Sequence, residues 1–496
     1  VNFYGSEAGD GGLGVTLTLA TLALSFLVRP LGGIILGPLG DKVGRQKVMV
    51  LTVLMMTLAT GAIGLLPTLS TVGVLAPILL LICRLVQGFS AGGEWGGAAL
   101  MSVEHAPRNK RGFFGAFPQI GVPCGMILAT GVMWLLTTFM TEEAFLTWGW
   151  RIPFLFSVVL IVVGYLIRRT VDESPVFKEM QERKKESAAP LGQLFKHNWK
   201  EVILTALIFI ANNAAGYLLI AFFASYATKE IPDGGLGMDR SAVLLASTLA
   251  AFGWLAFTMY GGILSDKIGR IRTFQIGYVW VLLWAVPMFL LIDTASIIWF
   301  TVAAFVLTIG LGLSYGPQSA LYAEMFPANV RYSGVSIGYA IGAILGGAFA
   351  PMIAELLLGW TGTTISIGIY IAVLSVISLV AVSVVKETRG ANLRVEEAHR
   401  EYLQKHPEAR QSDHRQQQHR SQPEQQQQEV ARIGAGSADP IDRRAAGGGR
   451  QAGVDAVVGG KRDAEREAAG HQQSADCPHR HQPHGIAELF PPVGSQ

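Results

Sequence analysis

The amino-acid sequence predicts an all-α polytopic membrane protein built as two helical halves. Long apolar blocks, basic charge confined to alternate loops, and two charged motifs that each recur at nearly one offset all point that way. Half of the 496 residues are hydrophobic and 15% are charged, against roughly 25% charged in ordinary soluble domains. About 20 mostly apolar residues let a helix cross a hydrocarbon core of roughly 30 Å. Such blocks run over 13–36, 48–66, 75–101, 113–138, 152–169, 201–226, 242–264, 274–292, 297–322, 334–358 and 364–385, which makes eleven spans. A soluble protein would need many amphipathic helices to cover so much apolar surface, and almost none are present.

The opening VNFYGSEAGDGG, residues 1–12, is too short and polar to span and lacks the basic start of a cleavable signal. The first loop after an apolar block carries Lys42, Arg45 and Lys47, and the next, 67–74, carries no charge. Arg108, Lys110 and Arg111 follow, then an acidic connection with Glu142 and Glu143. The 170–200 linker is basic and joins an N-terminal helical half, 13–169, to a C-terminal half, 201–388. Lys267, Arg270 and Arg272 form another basic loop, whereas the connections near Asp293 and over 360–364 have no Lys or Arg. Short loops rich in Lys and Arg stay cytoplasmic, so the basic loops and the tail are expected inside the cell membrane. Lys229 and Arg240, placed outside beside Glu230, Asp233 and Asp239, are a mild exception. With the loop at Asp41 inside, the first visible span starts outside, so a twelve-helix plan lacks its first helix.

GPLGDKVGR, Gly37 to Arg45, returns as GILSDKIGR, Gly262 to Arg270. The spacing E-x-x-P-x-x-x-R occurs as Glu104, Pro107, Arg111 and again as Glu324, Pro327, Arg331. Two motifs repeating at nearly one offset imply two equivalent halves, a hallmark of secondary transporters, whose substrate site lies between the halves. Gly37, Gly44, Gly262 and Gly269 permit tight turns and close approach. Asp41 and Asp266 can face helix N-termini, where the dipole favours negative charge. Arg45 and Arg270 can fork onto carboxylates such as Glu104 and Glu324. The competing reading is that these charges only set topology.

Ionisable residues inside spans are functional candidates by default: Arg29, Arg84, Glu94 and, nearer an end, Glu355. Arg84 and Glu94 lie ten residues apart, about 15 Å along one helix, and so need separate partners. Gln87 and Glu94 share a face, and the glycines at 88, 92, 93, 96 and 97 admit a close neighbour. Glu94 is the candidate proton carrier; its alternative is a structural hydrogen bond. Gln119 between Pro118 and Pro123, the trio Asn212, Asn213 and Tyr217, and Gln318 after Pro317 are candidates to line a polar path, or else packing groups.

The repeated G-x-L-x-D-K/R-x-G-R turn resembles the signature of the major facilitator superfamily. RLVQGFSAGGEWGGA, Arg84 to Ala98, with EHAPRNKRG, Glu104 to Gly112, resembles the metabolite:proton symporter family within it. The resemblance covers roughly 13–390 and implies two six-helix halves with inverted repeats. It also implies alternating access, with the charged turns, Arg111 and Arg331 latching the halves in one state. It points Arg84 into the central cavity, as a proton sensor or a seat for a substrate carboxylate. The substrates it implies are small organic acids, such as shikimate, 2-oxoglutarate and citrate, or zwitterions such as proline and betaine. The family's E-W-Y-D-like first-helix motif is absent here, which leaves Arg29 without an assigned partner.

From 389 the chain turns polar, with eight of its ten histidines in 399–484. Such a tail is expected to be disordered; weak metal binding and out-of-frame translation are its two readings. Cys83 and Cys124 lie in spans and Cys477 in the tail, which suggests neither a disulfide framework nor a metal site. The spans hold no nucleophile–base pair, and GPLGDKVGR lacks the phosphate-loop spacing. An enzyme is therefore not expected, nor a cofactor, nor a nucleic-acid partner. The partners expected are a small metabolite, protons and the lipid bilayer, for a chain acting as a monomer. A facilitator or exchanger of the same fold, a non-transporting sensor and a defective gene product are the alternatives to symport.

Overall fold

The computed structural model describes residues 13–170, 190–231, 234–328 and 330–393. The expectations for the opening residues 1–12, for most of the 170–200 linker and for the tail from 394 lie outside the described residues. Among the described residues the chain is helical throughout its ordered elements and contains no strand.

Among the described residues, nine helices are long and apolar enough to span a membrane. In the first half these are α1 (Leu13–Val43), α2 (Arg45–Leu65), α3 (Leu75–Glu104) and α4 (Arg111–Phe139). The fifth apolar block is broken into short pieces, together α5 (Gly149–Gly164). A short amphipathic helix, α6 (Pro190–His197), precedes the second half. That half contains α7 (Trp199–Thr228), α8 (Arg240–Ile268), α9 (Arg270–Trp284), α10 (Ile297–Met325), α11 (Arg331–Thr361) and α12 (Ile365–Val384). The expected span 274–292 is divided between α9 and a turn of helix at Pro287–Ile292. Pro287 has no N–H to give and disfavours helix in the residue before it, so the break falls there.

The glycine that ends each charged turn has a backbone only glycine takes without strain. Gly44 joins α1 to α2 at φ 123°, ψ 144°, and Gly269 joins α8 to α9 at φ 105°, ψ 159°. An L side chain at such angles costs on the order of 1–3 kcal/mol. The repeated motif is thus a repeated backbone conformation. Glycine serves a second purpose on α3. A Cβ on Gly88 or Gly92 would run into the backbone carbonyls of Ser25 and Arg29 on α1. Bare glycine therefore lets α1 and α3 touch backbone to backbone.

The halves meet chiefly through two helix pairs, α1 with α11 and α4 with α8, with α3 also packing on α11 and α10 on α4. The charged turn follows both α1 and α8, and the E-x-x-P-x-x-x-R segment precedes both α4 and α11, so the two pairs are images of each other under the repeat. Outward faces stay apolar: Leu58 is 62% exposed, Leu128 65%, Leu283 69% and Ile298 69%. Exposed apolar surface on that scale marks a hydrocarbon-facing bundle. Inside the second half, Phe222, Phe223, Phe289, Phe300 and Leu307 form one continuous aromatic and aliphatic core.

Candidate functional site

The two charged turns lie at one end of the bundle, each against the start of a helix in the other half. At the end of α1, Asp41 accepts hydrogen bonds from the Ser333 backbone N–H at 3.1 Å and the Ser333 hydroxyl at 2.7 Å. Ser333 sits in the first turn of α11, in the opposite half. Asp266 at the end of α8 accepts from the backbone N–H groups of Gly112 and Phe113, both at 2.8 Å, in the first turn of α4. Each carboxylate therefore sits against unsatisfied N–H groups and the positive end of a helix dipole in the other half.

A second layer ties the same helices by ion pairs. Glu104, at the end of α3, pairs with Arg45 of its own half and with Arg331 of the other, Arg331 Nη1 to Glu104 Oε1 at 2.9 Å. Glu324, at the end of α10, takes a fork from Arg270 at 3.3 and 3.4 Å and lies 3.7 Å from Arg111 of the other half. Arg45 and Arg270 are fully buried. Burying such charges is tolerable because each is paired several times, and removing one partner of a buried pair typically costs about 3–5 kcal/mol. Gly37 and Gly262 make the closeness possible: a Cβ on Gly37 would come within 3.0 Å of the Ser333 Cα, and one on Gly262 within 2.6 Å of the Gly112 carbonyl.

The chain after α12 closes over this layer. Glu387 accepts from the backbone N–H groups of Arg270 at 2.9 Å and Ile271 at 3.1 Å, capping α9. The Thr388 hydroxyl donates to Glu324 at 2.9 Å, Arg331 donates to the Leu393 carbonyl at 3.4 Å, and Arg108 and Arg111 donate to the Gly390 and Ala391 carbonyls. In this structure the charged end is shut.

Deeper in the bundle lies a second group. Arg29 on α1 is half-buried with its guanidinium 3.8 Å from the centre of the Phe26 ring, and its Nε has no hydrogen-bond partner. Glu94 on α3 is also half-buried and lies within the electrostatic reach of Arg29. Among the described residues, no hydrogen bond or ion pair joins the two. Aromatic rings from both halves surround them. Tyr217 packs edge-on to Phe26 at 4.9 Å, Tyr339 stacks on Trp95 at 3.9 Å, and Phe209 stacks on Tyr339 at 4.5 Å. Beneath, the Trp95 indole donates to Gln119 Oε1 at 2.7 Å, and the Gln119 amide donates across the halves to Gln318 Oε1 at 3.0 Å and the Tyr315 carbonyl at 3.1 Å.

The remaining residues singled out from the sequence lie elsewhere. Arg84 donates to Gln87 at 3.3 Å, and Gln87 donates to Thr60 on α2 at 2.7 Å, so this pair faces α2 within the first half. Asn212 uses its amide on the Leu311 carbonyl at 2.9 Å and the Ser314 hydroxyl at 2.7 Å, and Asn213 donates to the Ala343 carbonyl at 3.0 Å. Both asparagines staple helices of the second half. Glu355 is half-buried on α11. Sequence reasoning missed Phe26, Trp95, Phe209, Tyr315 and Tyr339 in the middle, and Ser333, Glu387 and Thr388 at the charged end. Trp95 stood inside a quoted motif; an isolated aromatic in an apolar span gives no signal of its own.

The pattern of crossed contacts, Asp41 to α11 and Asp266 to α4 under one repeat, agrees with what the chain matches. The model of the Major Facilitator Superfamily matches residues 8–335 and 235–422. The chain belongs to the major facilitator superfamily. Among its relatives, an inner membrane metabolite transport protein of Escherichia coli K12 is 37% identical over 390 residues, 78% of this chain and 87% of that one. The shikimate transporter of E. coli K12 is 36% identical over 393 residues, covering 76% and 86%. A proline/betaine transporter of Salmonella typhimurium is 31% identical over 394 residues, 78% of each. A solved structure of a proton:xylose symporter superposes with a TM-score of 0.65 at 17% identity, covering 79% of this chain and 90% of that one, which shows the shared fold. The protein is thus a multi-pass membrane transporter of this superfamily, not an enzyme.

Proposed function

We propose that the protein is a proton-coupled symporter that brings a small organic acid or zwitterion into the cell across the plasma membrane by alternating access. The observation that carries this reading is the pair Arg29 and Glu94, half-buried inside the bundle, with the Arg29 guanidinium on the Phe26 ring, its Nε without a hydrogen bond, and no hydrogen bond or ion pair between the two among the described residues. An ionisable group in a span is costly unless it serves a substrate or a proton. Arg29 seats a substrate carboxylate, and Glu94 takes up and releases the proton. The named activities of the relatives support the substrate class. The two crossed carboxylate contacts and the ion pairs form the gate facing the cytoplasm, and they hold the state open to the outside. Arg84 and Gln87 support α3 against α2 and so position Glu94, while Gln119 and Gln318 form the floor beneath the substrate.

The test is uptake of labelled candidate acids and zwitterions into proteoliposomes under an imposed pH gradient, with counterflow measured in parallel. Wild-type protein accumulates substrate only with the gradient, and Glu94→Gln loses accumulation while keeping counterflow. Accumulation that persists in Glu94→Gln removes that residue from coupling. Equal counterflow with no gradient-driven accumulation in the wild type makes the protein a facilitator or exchanger.

A further inference from the structure

Resting on the transport reading only for the opening of the charged end, we infer that α6 and the first turn of α7 form a docking surface for anionic phospholipid headgroups, and that lipid held there keeps that end shut. Helical hydrogen bonding runs on from α6 into α7: the Asn198 N–H donates to the Leu194 carbonyl at 2.8 Å and the Val202 N–H to the Asn198 carbonyl at 3.2 Å. One face of this stretch is buried. Leu194 and Val202 enter an apolar core that also holds Leu36 and Leu100 of the first half and Val335 of the second. The opposite side is bare. Phe195, Trp199 and Ile203 follow one helical stripe and are 50%, 48% and 47% exposed. Beside them Lys196, His197 and Lys200 are exposed, and the Lys200 ammonium lies 5.9 Å from the centre of the Trp199 ring. From 190 to 203 the sequence has one acid, Glu201, and it is buried.

That combination selects the occupant. The stripe starts at Phe195, before the span, and ends at Ile203, within α7, so it crosses from the headgroup layer into hydrocarbon. Aromatic rings at that depth sit among headgroups, and lysines beside them attract acidic lipid. A soluble protein partner would cover Phe195 but not Ile203. A neutral lipid covers the apolar stripe and leaves both lysines without a counter-charge. The same helix joins the halves, packing on α1 of the first and on α7 and α11 of the second. α1 and α11 are helices that part when the charged end opens. Parting them removes one wall from Leu194, so the docked position of α6 belongs to the shut state. A ligand that binds one state better shifts the population toward it. A headgroup on Lys196 and Lys200 therefore clamps the charged end.

The experiment compares lipids. Full-length protein carrying Ala116→Cys, in a background without the three native cysteines, is placed in nanodiscs of phosphatidylcholine alone or of equal parts phosphatidylcholine and phosphatidylglycerol. Ala116 is fully buried against Gly262 of the other half, so its alkylation reports opening. One lysine at an acidic surface contributes a factor of about five, so phosphatidylglycerol is expected to slow alkylation at least about fivefold. Lys196→Gln/Lys200→Gln is expected to react equally fast in both lipids, and Lys196→Arg/Lys200→Arg to keep the difference; melting temperatures confirm folding. In native mass spectrometry the wild type retains phosphatidylglycerol in preference to phosphatidylcholine, and the glutamine variant loses that preference. Equal rates in the two lipids, or a difference that persists in the glutamine variant, overturns the inference, and leaves the transport reading intact where Glu104→Gln still speeds alkylation. The same slowing by soluble glycerol phosphate in neutral nanodiscs assigns the lysines to free anions and overturns it as well. Alkylation unaltered by lipid and by Glu104→Gln alike removes the opening itself, and with it the transport reading too.

Discussion

Glu104 is the residue on which opening of the charged end depends most directly. It serves two arginines, but only one contact crosses between the halves. The pair with Arg45 lies within the first half and survives opening, whereas the 2.9 Å contact with Arg331 exists only while the end is shut. Glu104→Gln therefore weakens the closed state by about one charge-assisted hydrogen bond, roughly 1.5–3 kcal/mol. Arg331 keeps its bonds to the Phe326 carbonyl at 3.0 Å and the Leu393 carbonyl at 3.4 Å, so the loss falls near the lower end, about 2 kcal/mol. That multiplies the open population about thirtyfold. The assay is alkylation of Ala116→Cys in a background without the three native cysteines. Ala116 is fully buried on α4 against Gly262 of α8, so its alkylation rate reports the open fraction. The rate is expected to rise about thirtyfold in Glu104→Gln. The repeat-related change Glu324→Gln removes a longer 3.7 Å contact to Arg111, worth about 1 kcal/mol, and raises the rate only about fivefold. An unchanged rate in folded Glu104→Gln protein, or a larger effect from Glu324→Gln, refutes the reasoning.

Three further outcomes follow from the same geometry. Asp41→Asn and Asp266→Asn each lose part of a two-donor contact to a helix start in the other half; each should speed Ala116→Cys alkylation about tenfold. Tyr278 on α9 donates its hydroxyl to the Ile208 carbonyl on α7, both in the second half. Tyr278→Phe should lower the melting temperature by a few degrees, consistent with about 1 kcal/mol, and leave alkylation unchanged. Gly269→Ala forces a Cβ toward the Glu387 carboxylate, its Cδ 2.9 Å away, at a strained φ. It should destabilise by about 1–3 kcal/mol in thermal unfolding, and Gly269→Asn should not rescue it, because ψ of 159° lies outside the left-handed helical region that asparagine tolerates.

Local patterns carried much of the architecture. Apolar blocks located the spans because crossing hydrocarbon demands a minimum length of continuous apolar chain, a property each segment carries alone. The exceptions, α5 and α9, are places where short breaks interrupt a run whose average hydropathy stays high. Gly44 and Gly269 were legible because a backbone conformation restricted to glycine leaves the same residue at both copies of the turn. The two halves were legible because duplication preserves spacing.

What the tertiary structure alone decided is which partner each charge meets. The sequence marked Asp41 as a helix-capping carboxylate, but the helix it caps is α11, 292 residues away at Ser333. Glu104 meets Arg331 across 227 residues, and Glu324 recruits Thr388 from a segment that reads as the start of a polar tail. The aromatic group around Arg29 and Glu94 was hidden for the same reason. Phe26, Trp95, Tyr217 and Tyr339 sit on four helices of two halves, each surrounded in sequence by apolar residues that look like its equals. A membrane span announces its length and polarity one segment at a time, whereas a site between halves exists only once distant segments are packed, and no local spacing records that packing.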